Sequence, residues 1–242
     1  MWRVEHFNEI DSTNTYLRDR AGDETEGLVA LADYQTAGRG RLDRRWSSPP
    51  RASLLCSVLL RPAIETSQLQ LVVASVALSL RTAIERLSGL RAGLKWPNDL
   101  VVGGDKLGGL LAEVVTTPAG VAVVVGFGVN LTHEGPEGVA ATSVRRETGL
   151  TIEPRALLDI VLEELDARRA SLDTEDGRRT LHAQYERALV TIGRVVRIEQ
   201  VSTELLGVAR GVDDRGRLLV EVEGETRTIE VGDVVHVRAE AT

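Results

Sequence analysis

Gly38–Arg41 (Gly-Arg-Gly-Arg), followed by Trp46, is the stretch around which this sequence is organised. It lies between two apolar runs, 28–32 and 53–61, each typical of a β-strand. The connection of about nineteen residues is longer than an ordinary loop, which favours a functional role. Arginine forks suit carboxylate or phosphate, and glycines let a ligand approach the backbone. The arginines of the stretch are Arg39, Arg41, Arg44 and Arg45. We therefore predict an anion-binding loop, with an ordinary solvated basic loop as the alternative.

The bulk composition restricts the kind of protein. The chain has 242 residues, 43% of them hydrophobic, and a net charge of −7. This acidic balance argues against non-specific nucleic-acid binding. The single cysteine, Cys56, lies in an apolar run, so we expect a buried free thiol and a cytoplasmic protein. The longest apolar stretch, 69–80, is too short to cross a bilayer and predicts a buried helix, so no membrane partner is expected.

Periodicity and turn residues predict two parts of the chain. A strand is expected within 2–10, and strong helices over 68–87, ending at Gly89, and from Pro154 onward. After a second helix near 178–189 the pattern changes to short β-runs, which predict a small barrel. These runs are 195–198, 207–212, 218–222, 228–231 and 234–237. We therefore divide the chain into domains at 1–190 and 191–242.

A second polar cluster follows the long helix, in the sequence Lys95-Trp96-Pro97-Asn98-Asp99. Proline cannot continue a central strand, so these polar groups are predicted to lie at a strand end, facing a cleft. A Gly-Gly turn then leads to Lys106, and two more glycines, Gly108 and Gly109, follow it inside a strand pattern. They suggest a close approach of backbone or ligand. A turn-flanking charge is the alternative for Lys106.

Two further motifs complete the set. Ser12-Thr13-Asn14 consists of helix-capping residues that could also hydrogen-bond a polar heterocycle. The apolar run 121–125 predicts a central strand leading into Gly126–Asn130. That glycine motif lacks the third glycine of a dinucleotide fingerprint, and Lys106 is not part of a Walker A sequence. The four histidines show no metal-ligand spacing.

Together these motifs resemble the biotin–protein ligases (biotin–[acetyl-CoA-carboxylase] ligases) over essentially the whole chain. The resemblance implies an α+β fold: a mixed central β-sheet flanked by helices, similar to the class II aminoacyl-tRNA synthetase catalytic domain, with an SH3-like C-terminal β-barrel. It implies that biotin and MgATP give biotinyl-5′-AMP and pyrophosphate. The adenylate then acylates one lysine of a biotin carboxyl carrier protein domain of a biotin-dependent carboxylase.

The resemblance also implies roles for single residues. The catalytic groups would be Lys106, Arg39 and Arg41. The biotin side would comprise Ser12, Thr13, Asn14, Gln35, Arg39, Gly40, Arg41, Lys106 and Gly108. The ATP side would comprise Arg41, Arg44, Trp46, Lys95, Asn98, Asp99, Lys106 and Asn130. No metal is expected on the protein alone, since Mg²⁺ would arrive with ATP, near Asp99. Independently, a carboxylate attacking an α-phosphorus needs charge neutralisation, which Arg39, Arg41 and Lys106 can supply.

Two residues depart from the family pattern, and other functions remain as alternatives. Asp43 stands where a small residue is usual in the arginine loop, and Phe127 is bulkier than the usual aliphatic residue. The alternative functions are a lipoate–protein ligase, a biotin-responsive DNA-binding repressor and a catalytically inactive binding module. The first motif begins at residue 12, which leaves no room for a preceding helix-turn-helix domain, so no repressor role is expected. Both a monomer and a homodimer are compatible with the sequence.

Overall fold

The computed structural model describes residues 1–42, 44–135, 138–199, 204–230 and 233–236. Asp43, and the predicted strand ends at Val231 and Val237, lie outside the described residues. Helices in these ranges are α1 Thr13–Arg20, α2 Gln70–Ser88, α3 Val144–Thr148, α4 Pro154–Ser171 and α5 Glu175–Ala188. Strands are β1 Arg3–Phe7, β2 Leu28–Ala32, β3 Ser53–Leu60, β4 Gly93–Lys95, β5 Asp99–Val102, β6 Asp105–Thr117, β7 Gly120–Asn130, β8 Val195–Glu199, β9 Glu204–Val212, β10 Leu218–Val222, β11 Glu225–Ile229 and β12 Asp233–His236.

The first seven strands form one mixed sheet in the order β1-β2-β3-β7-β6-β5-β4. Strands β1 and β2 are parallel, and the other pairs in this sheet are antiparallel. Because side chains alternate across a strand, Val29 and Leu31 of β2 join the larger core with α2 and α4. Leu28 and Ala30 pack on the other face with Leu17 of α1. The predicted mixed sheet flanked by helices is confirmed.

Helix α2 forms the centre of the larger core. It has the predicted apolar stripe and ends at Gly89, which adopts the left-handed conformation at φ 71°. With the short 3-10 helix Thr66–Gln68 that precedes it, α2 belongs to a helical region, Thr66–Ser88, of 23 residues. The most apolar 18-residue window of this region has a mean hydropathy of 1.3, so by length and composition it could cross a membrane. The expectation that the apolar run is too short is therefore wrong for the complete helix. Its most apolar window is 67% buried inside the protein, as expected for a core helix.

Three elements differ from the sequence-based expectation. Strand β7 does not end at residue 125 but continues through the glycine motif to Asn130, paired with β3 on one side and β6 on the other. Helix α3 was not predicted, because five residues carry too little periodicity. Helix α5 begins three residues earlier than expected, where the Thr174 side chain accepts a hydrogen bond from the N–H of Gly177.

The remaining strands form a separate antiparallel sheet in the order β11-β10-β9-β8-β12. Several hydrogen bonds attach it to the first part of the chain. Trp96 Nε1 donates to the carbonyl of Gly216 at 2.9 Å, and His182 Nε2 lies 2.8 Å from the carbonyl oxygen of Asp213. Buried residues of both sheets belong to the same hydrophobic cluster. The small sheet is therefore packed firmly against the larger one.

Candidate active site

A cavity of about 580 Å³ opens where the polar motifs converge. Its wall combines the start of α1, the arginine loop, the turn between β4 and β5, the start of β6 and the end of β7. The predicted residues that line it are Ser12, Thr13, Asn14, Gln35, Arg39, Gly40, Arg41, Arg44, Trp46, Lys95, Asn98, Asp99, Lys106 and Asn130. These predicted residues span 118 positions of the sequence, from Ser12 to Asn130, and share one site.

Gly108 is the exception among the predicted residues. It does not line the cavity; its neighbour Gly109 does. A Cβ at Gly108 would meet the carbonyl oxygen of Gly128 at 2.6 Å, so this glycine allows close packing of β6 on β7. A Cβ at Gly109 would lie 3.3 Å from both Lys106 Nζ and Asp99 Oδ1. The glycine that opens space at the site is therefore Gly109.

One side of the cavity is a fixed polar network at the start of α1. Ser12 caps the helix by accepting from the N–H of Thr15, as its residue type predicts. Gln35 Oε1 accepts from the Thr13 N–H at 2.8 Å and lies 3.2 Å from the Thr13 hydroxyl. Ser12 and Thr13 are almost completely buried, 2% and 3% exposed, and Gln35 is partly buried. Their rotamers are held by hydrogen bonds, so the polar wall is preorganised.

Asn14 is held by partners on all sides. Its Oδ1 lies 2.6 Å from the Ser57 hydroxyl, while Nδ2 donates to Glu113 Oε2 at 2.9 Å and to the Leu111 carbonyl at 3.2 Å. Gly126 on β7 has no side chain, and a Cβ there would overlap the Asn14 amide. The first glycine of the β7 motif is thus required by Asn14.

The arginine loop forms a small hairpin rather than an open connection. Arg39 and Arg45 form an antiparallel bridge, and the N–H of Trp46 donates to the Gly38 carbonyl at 3.0 Å. The N–H of Gly40 donates to the Arg44 carbonyl at 2.7 Å. These bonds place several cationic side chains at the cavity wall, namely Arg39, Arg41, Arg44 and Arg45. The predicted cationic loop is therefore next to the predicted biotin side.

Lys106, at the start of β6, lies next to the tryptophan of this hairpin. Its Nζ is 2.6 Å from Asp99 Oδ1, an ion pair at the junction of β5 and β6. The same Nζ is 5.7 Å from the centre of the Trp46 ring. The Lys106 N–H donates to the Ala140 carbonyl at 2.9 Å, which fixes the start of β6. The lysine is thus held between an acid and an aromatic face.

The turn between β4 and β5 contains a cis Trp96–Pro97 peptide bond. Asn98 closes it against β6, because Nδ2 donates to the Leu110 carbonyl at 2.7 Å and the Asn98 carbonyl accepts from Leu110 N–H at 2.8 Å. Asn98 Oδ1 lies 3.4 Å from Arg41 Nη1. Since β4 ends at Lys95 and β5 begins at Asp99, the residues Lys95, Asn98 and Asp99 lie at strand ends, as predicted.

The far wall is formed by the end of β7 and by the small C-terminal sheet. Asn130 is 4% exposed, and its Nδ2 donates to the Thr142 carbonyl at 3.0 Å. Glu199, Val234 and Val235 reach the cavity from β8 and β12.

Partial burial, with the nearby charges of Lys95 and Arg194, lowers the pKa of His236 to about 4. This histidine at the domain junction is therefore neutral near pH 7.

Cys56 also reaches the cavity, from the middle of β3, but is only 1% exposed. Burial raises the pKa of its thiol above the ordinary value. A thiol is nucleophilic as the thiolate, so the protonated thiol of Cys56 is a poor nucleophile.

Phe127, the bulky departure in the glycine motif, lines the cavity and is 4% exposed. Among the described residues, no group of three or more His, Cys, Asp or Glu side chains is placed to bind a metal ion.

Comparison with known proteins agrees with this geometry. The model of the biotin/lipoate A/B protein ligase family matches residues 7–130, and that of the biotin protein ligase C-terminal domain matches residues 191–237. The biotin--[acetyl-CoA-carboxylase] ligase of Mycobacterium tuberculosis is 37% identical, over 98% of this chain and 90% of its own. The chain belongs to the biotin protein ligases.

Other relatives support the same family membership. The bifunctional ligase/repressor BirA of Escherichia coli is 33% identical over 89% of this chain and 68% of its own length. The structure of the Aquifex aeolicus biotin protein ligase in complex with biotin and ATP matches with a TM-score of 0.84. It is 27% identical and covers 99% of this chain and 100% of its own. The whole described fold, including the C-terminal sheet, is thus that of the family.

Two functional candidates in the ligase were missed by reading the sequence. Ser57 lies in the apolar run of β3 and is fully buried, 2.7 Å from the Thr13 hydroxyl. Glu113 lies on β6 and accepts from Arg39 Nη1 at 2.8 and 3.0 Å. Each is a polar residue among apolar neighbours in a strand, which is a visible signal. Their partners, however, are distant in sequence and appear only in the folded protein.

Proposed function

We propose that this chain activates biotin with MgATP to biotinyl-5′-AMP, releases pyrophosphate, and transfers the biotinyl group to one lysine of a carrier domain. The carrier would be the biotin carboxyl carrier protein of acetyl-CoA carboxylase or a similar biotin-dependent carboxylase. The observation that carries this proposal is the convergence of Arg39, Arg41 and Lys106 on one cavity, next to a preorganised polar wall. Family membership and relatives named as biotin ligases support the same activity.

The first step brings two anions together. A carboxylate oxygen of biotin attacks the α-phosphorus of ATP, and the bond to the departing pyrophosphate breaks. Repulsion between these anions is the main barrier that a binding site can lower. Arg39 and Arg41 on the hairpin, and Lys106 on β6, all line the cavity and supply positive charge to it. Their role in our proposal is to hold carboxylate and phosphate in contact and to neutralise the charge that develops.

The polar wall around α1 is proposed to hold the head group of biotin. Ser12, Thr13, Asn14 and Gln35 present hydroxyl and amide groups whose orientations are already set by hydrogen bonds. A preorganised polar site rejects ligands that cannot satisfy its buried groups. The ATP side would use Lys95, Asn98, Asp99, Trp46 and Arg44, with Asn130 near the base. Gly40 would let the biotin chain pass the hairpin. Gly108 packs against β7 and does not line the cavity, so it is not proposed as a biotin contact.

The residues also fit a magnesium ion carried by the nucleotide. Asp99 Oδ1 is buried and accepts no aligned hydrogen bond from the described residues, although Lys106 Nζ is close. Magnesium usually binds one or two protein carboxylates together with substrate phosphates and water. Asp99 would hold the ion, which supplies further neutralisation of the phosphate charge when bound.

The second step transfers the acyl group. The carrier lysine amine attacks the carbonyl carbon of the mixed anhydride, the bond to the phosphate oxygen breaks, AMP leaves and the amine loses a proton. The intermediate is reactive toward any amine, so it must remain enclosed until the carrier arrives. The hairpin with Arg39 and Arg41 closes one side of the cavity and is proposed to retain the adenylate.

The finer structural assignments belong to the same proposal. We assign the mixed sheet to the class II aminoacyl-tRNA synthetase-like type and the C-terminal sheet to the SH3-like type, with domains at 1–190 and 191–242. The family models, which match 7–130 and 191–237, support this division. A cytoplasmic location is supported by the buried free thiol of Cys56, which suits a reducing compartment.

Isotope exchange between pyrophosphate and ATP tests the proposed activity. The purified protein should exchange labelled pyrophosphate into ATP when biotin is present and not when lipoate replaces it. Exchange with lipoate alone would assign the protein to the other branch of the matched family. A folded protein that exchanges with neither acid would indicate a binding module.

A further inference from the structure

Glu113 lies on β6, outside every motif that points to the active site. Its side chain is 19% exposed and faces the α1 side of the sheet, between Leu111 and Val115. One carboxylate there meets three groups. Arg39 Nη1 lies 2.8 Å from Oε1 and 3.0 Å from Oε2, Asn14 Nδ2 donates to Oε2 at 2.9 Å, and Arg18 Nη1 is 3.5 Å from Oε1.

An acid at this position carries a desolvation free energy that an apolar residue would avoid. The same face of the sheet carries a hydrophobic cluster that includes Leu17, Leu59 and Val124, with Val115 packed against it. A largely buried carboxylate requires charged or hydrogen-bonding partners to offset its desolvation. Two of the partners of Glu113, Arg39 and Asn14, line the cavity itself. The carboxylate is therefore a direct link between the polar wall and the arginine hairpin.

We propose that Glu113 is a positioning residue that fixes Arg39 relative to Asn14, and so sets the hairpin over the cavity. The inference rests on the proposed function for its catalytic consequence, but the anchoring contact itself does not depend on it. Both carboxylate oxygens meet Nη1, so this contact leaves the Nε and Nη2 atoms of Arg39 uncommitted. Glu113 holds one corner of the guanidinium while the rest can face an anion.

Glu113 thereby connects the polar wall to the arginine hairpin through its hydrogen bonds to Asn14 and Arg39. Asn14 is bound to Ser57 on one side and to Glu113 on the other, and Glu113 holds Arg39. A hairpin fixed at this point loses less conformational entropy when the adenylate binds. The carboxylate also adds negative charge near the anion site, but Arg18 and Arg39 leave the cluster net positive.

The direct test is limited trypsin cleavage without any ligand, followed by mass spectrometry of the cuts after the hairpin arginines. Glu113→Gln keeps the shape and loses the charge, so the hairpin should be cut about five- to thirtyfold faster than in the wild type, the scale of one weakened charge-assisted hydrogen bond. The matched control is Glu164→Gln. Glu164 is 20% exposed and pairs with Arg86 and Arg168, away from the cavity. This control should leave hairpin cleavage at the wild-type rate.

The second measurement connects anchoring to catalysis. In the biotin reaction, Glu113→Gln should release adenylate faster and raise bystander labelling relative to carrier labelling, with Glu164→Gln unchanged. The double variant Glu113→Gln, Arg39→Gln should leak no more than Arg39→Gln alone, because contacting residues are not additive when one acts through the other.

Each outcome has a distinct meaning. Unchanged hairpin cleavage in Glu113→Gln would overturn the inference, whatever the activity. Additive leakage in the double variant, or tighter retention in Glu113→Gln, would also overturn it, because the carboxylate would then act by charge repulsion rather than through Arg39. Loss of biotin-dependent exchange in the wild type would contradict the proposed function, whereas faster cleavage in Glu113→Gln would still support the anchor.

Discussion

The indole of Trp46 lies directly against Gly128, so that a Cβ at position 128 would come within 2.6 Å of the ring atom Cε2. The second glycine of the β7 motif therefore provides the place where the tryptophan of the arginine hairpin rests. Since Trp46 also faces Lys106, this contact joins the hairpin to the wall that carries the lysine. The two glycines of the motif serve two side chains, Asn14 at Gly126 and Trp46 at Gly128.

Gly128→Ala should therefore displace Trp46 without breaking the sheet. Overpacking of this kind typically costs about 1–3 kcal/mol. We expect a changed tryptophan emission and a raised KM for ATP in pyrophosphate exchange. Gly22→Ala is the control, because a Cβ there meets nothing within 4 Å and its φ is not positive. A normal KM for ATP and unchanged emission in Gly128→Ala would show that the indole position is irrelevant.

Lys106→Ala should reduce adenylate formation far more than it destabilises the protein. Removing one group that stabilises developing charge typically lowers the rate by roughly 100- to 1000-fold. Biotin-dependent exchange and the melting temperature measure the two effects separately. Arg210→Ala, which removes one side of the exposed Arg210–Glu221 ion pair, is the control for loss of a surface cation. Near wild-type exchange by Lys106→Ala would contradict the role assigned to this lysine.

Arg41→Gly should still make adenylate but lose it. One charge-assisted contact contributes roughly 1.5–3 kcal/mol, or about ten- to a hundredfold in retention. The chain is well suited to this experiment, because its only lysines are Lys95 and Lys106, both at the cavity. Released adenylate should therefore label a lysine-rich bystander much more than the enzyme surface. If Arg41→Gly labels the carrier normally and the bystander no more than the wild type does, the hairpin does not retain the intermediate.

His236 should make the junction between the sheets sensitive to acid. Partial burial and the charges of Lys95 and Arg194 lower its pKa from 6.5 to about 4. The folded state then binds fewer protons than the unfolded state, so the stabilising effect is complete above pH 6.5 and is lost as the pH falls toward 4. Melting temperatures of His236→Gln should depend less on pH across that window than those of the wild type. Parallel curves for the two proteins would rule out this contribution.

Much of the fold was predictable because its signals are local. The stripe of α2 and its terminal Gly89, the proline that separates β4 from β5, and the paired glycines before β6 each act within a few residues. The mixed sheet was implied by the family resemblance, and the small C-terminal β-domain was indicated by its short strand patterns and by that resemblance. Helix α3 was missed because a five-residue helix has no readable period.

The site was predictable only in part, because its ion pairs and hydrogen bonds join residues that are distant in sequence. Lys106 and Asp99 were expected at the cavity, but their ion pair depends on the register of β5 on β6. Gly108 and Gly109 are equivalent in the sequence, and only the pleat of β6 decides which one faces the cavity. The role of Glu113 could not be predicted for a similar reason: its polar side chain in an apolar strand is visible in the sequence, but its partners Asn14 and Arg39 are 99 and 74 residues away.

A single-turnover experiment tests the central claim most directly. Enzyme in excess over α-labelled ATP is mixed with biotin, filtered to remove free nucleotide, and then given the carrier domain. The account predicts label retained as biotinyl-5′-AMP only when biotin is present, and its release as AMP with one biotin on one carrier lysine. Label that is retained equally without biotin, or an adenylate that the carrier does not discharge, would contradict it.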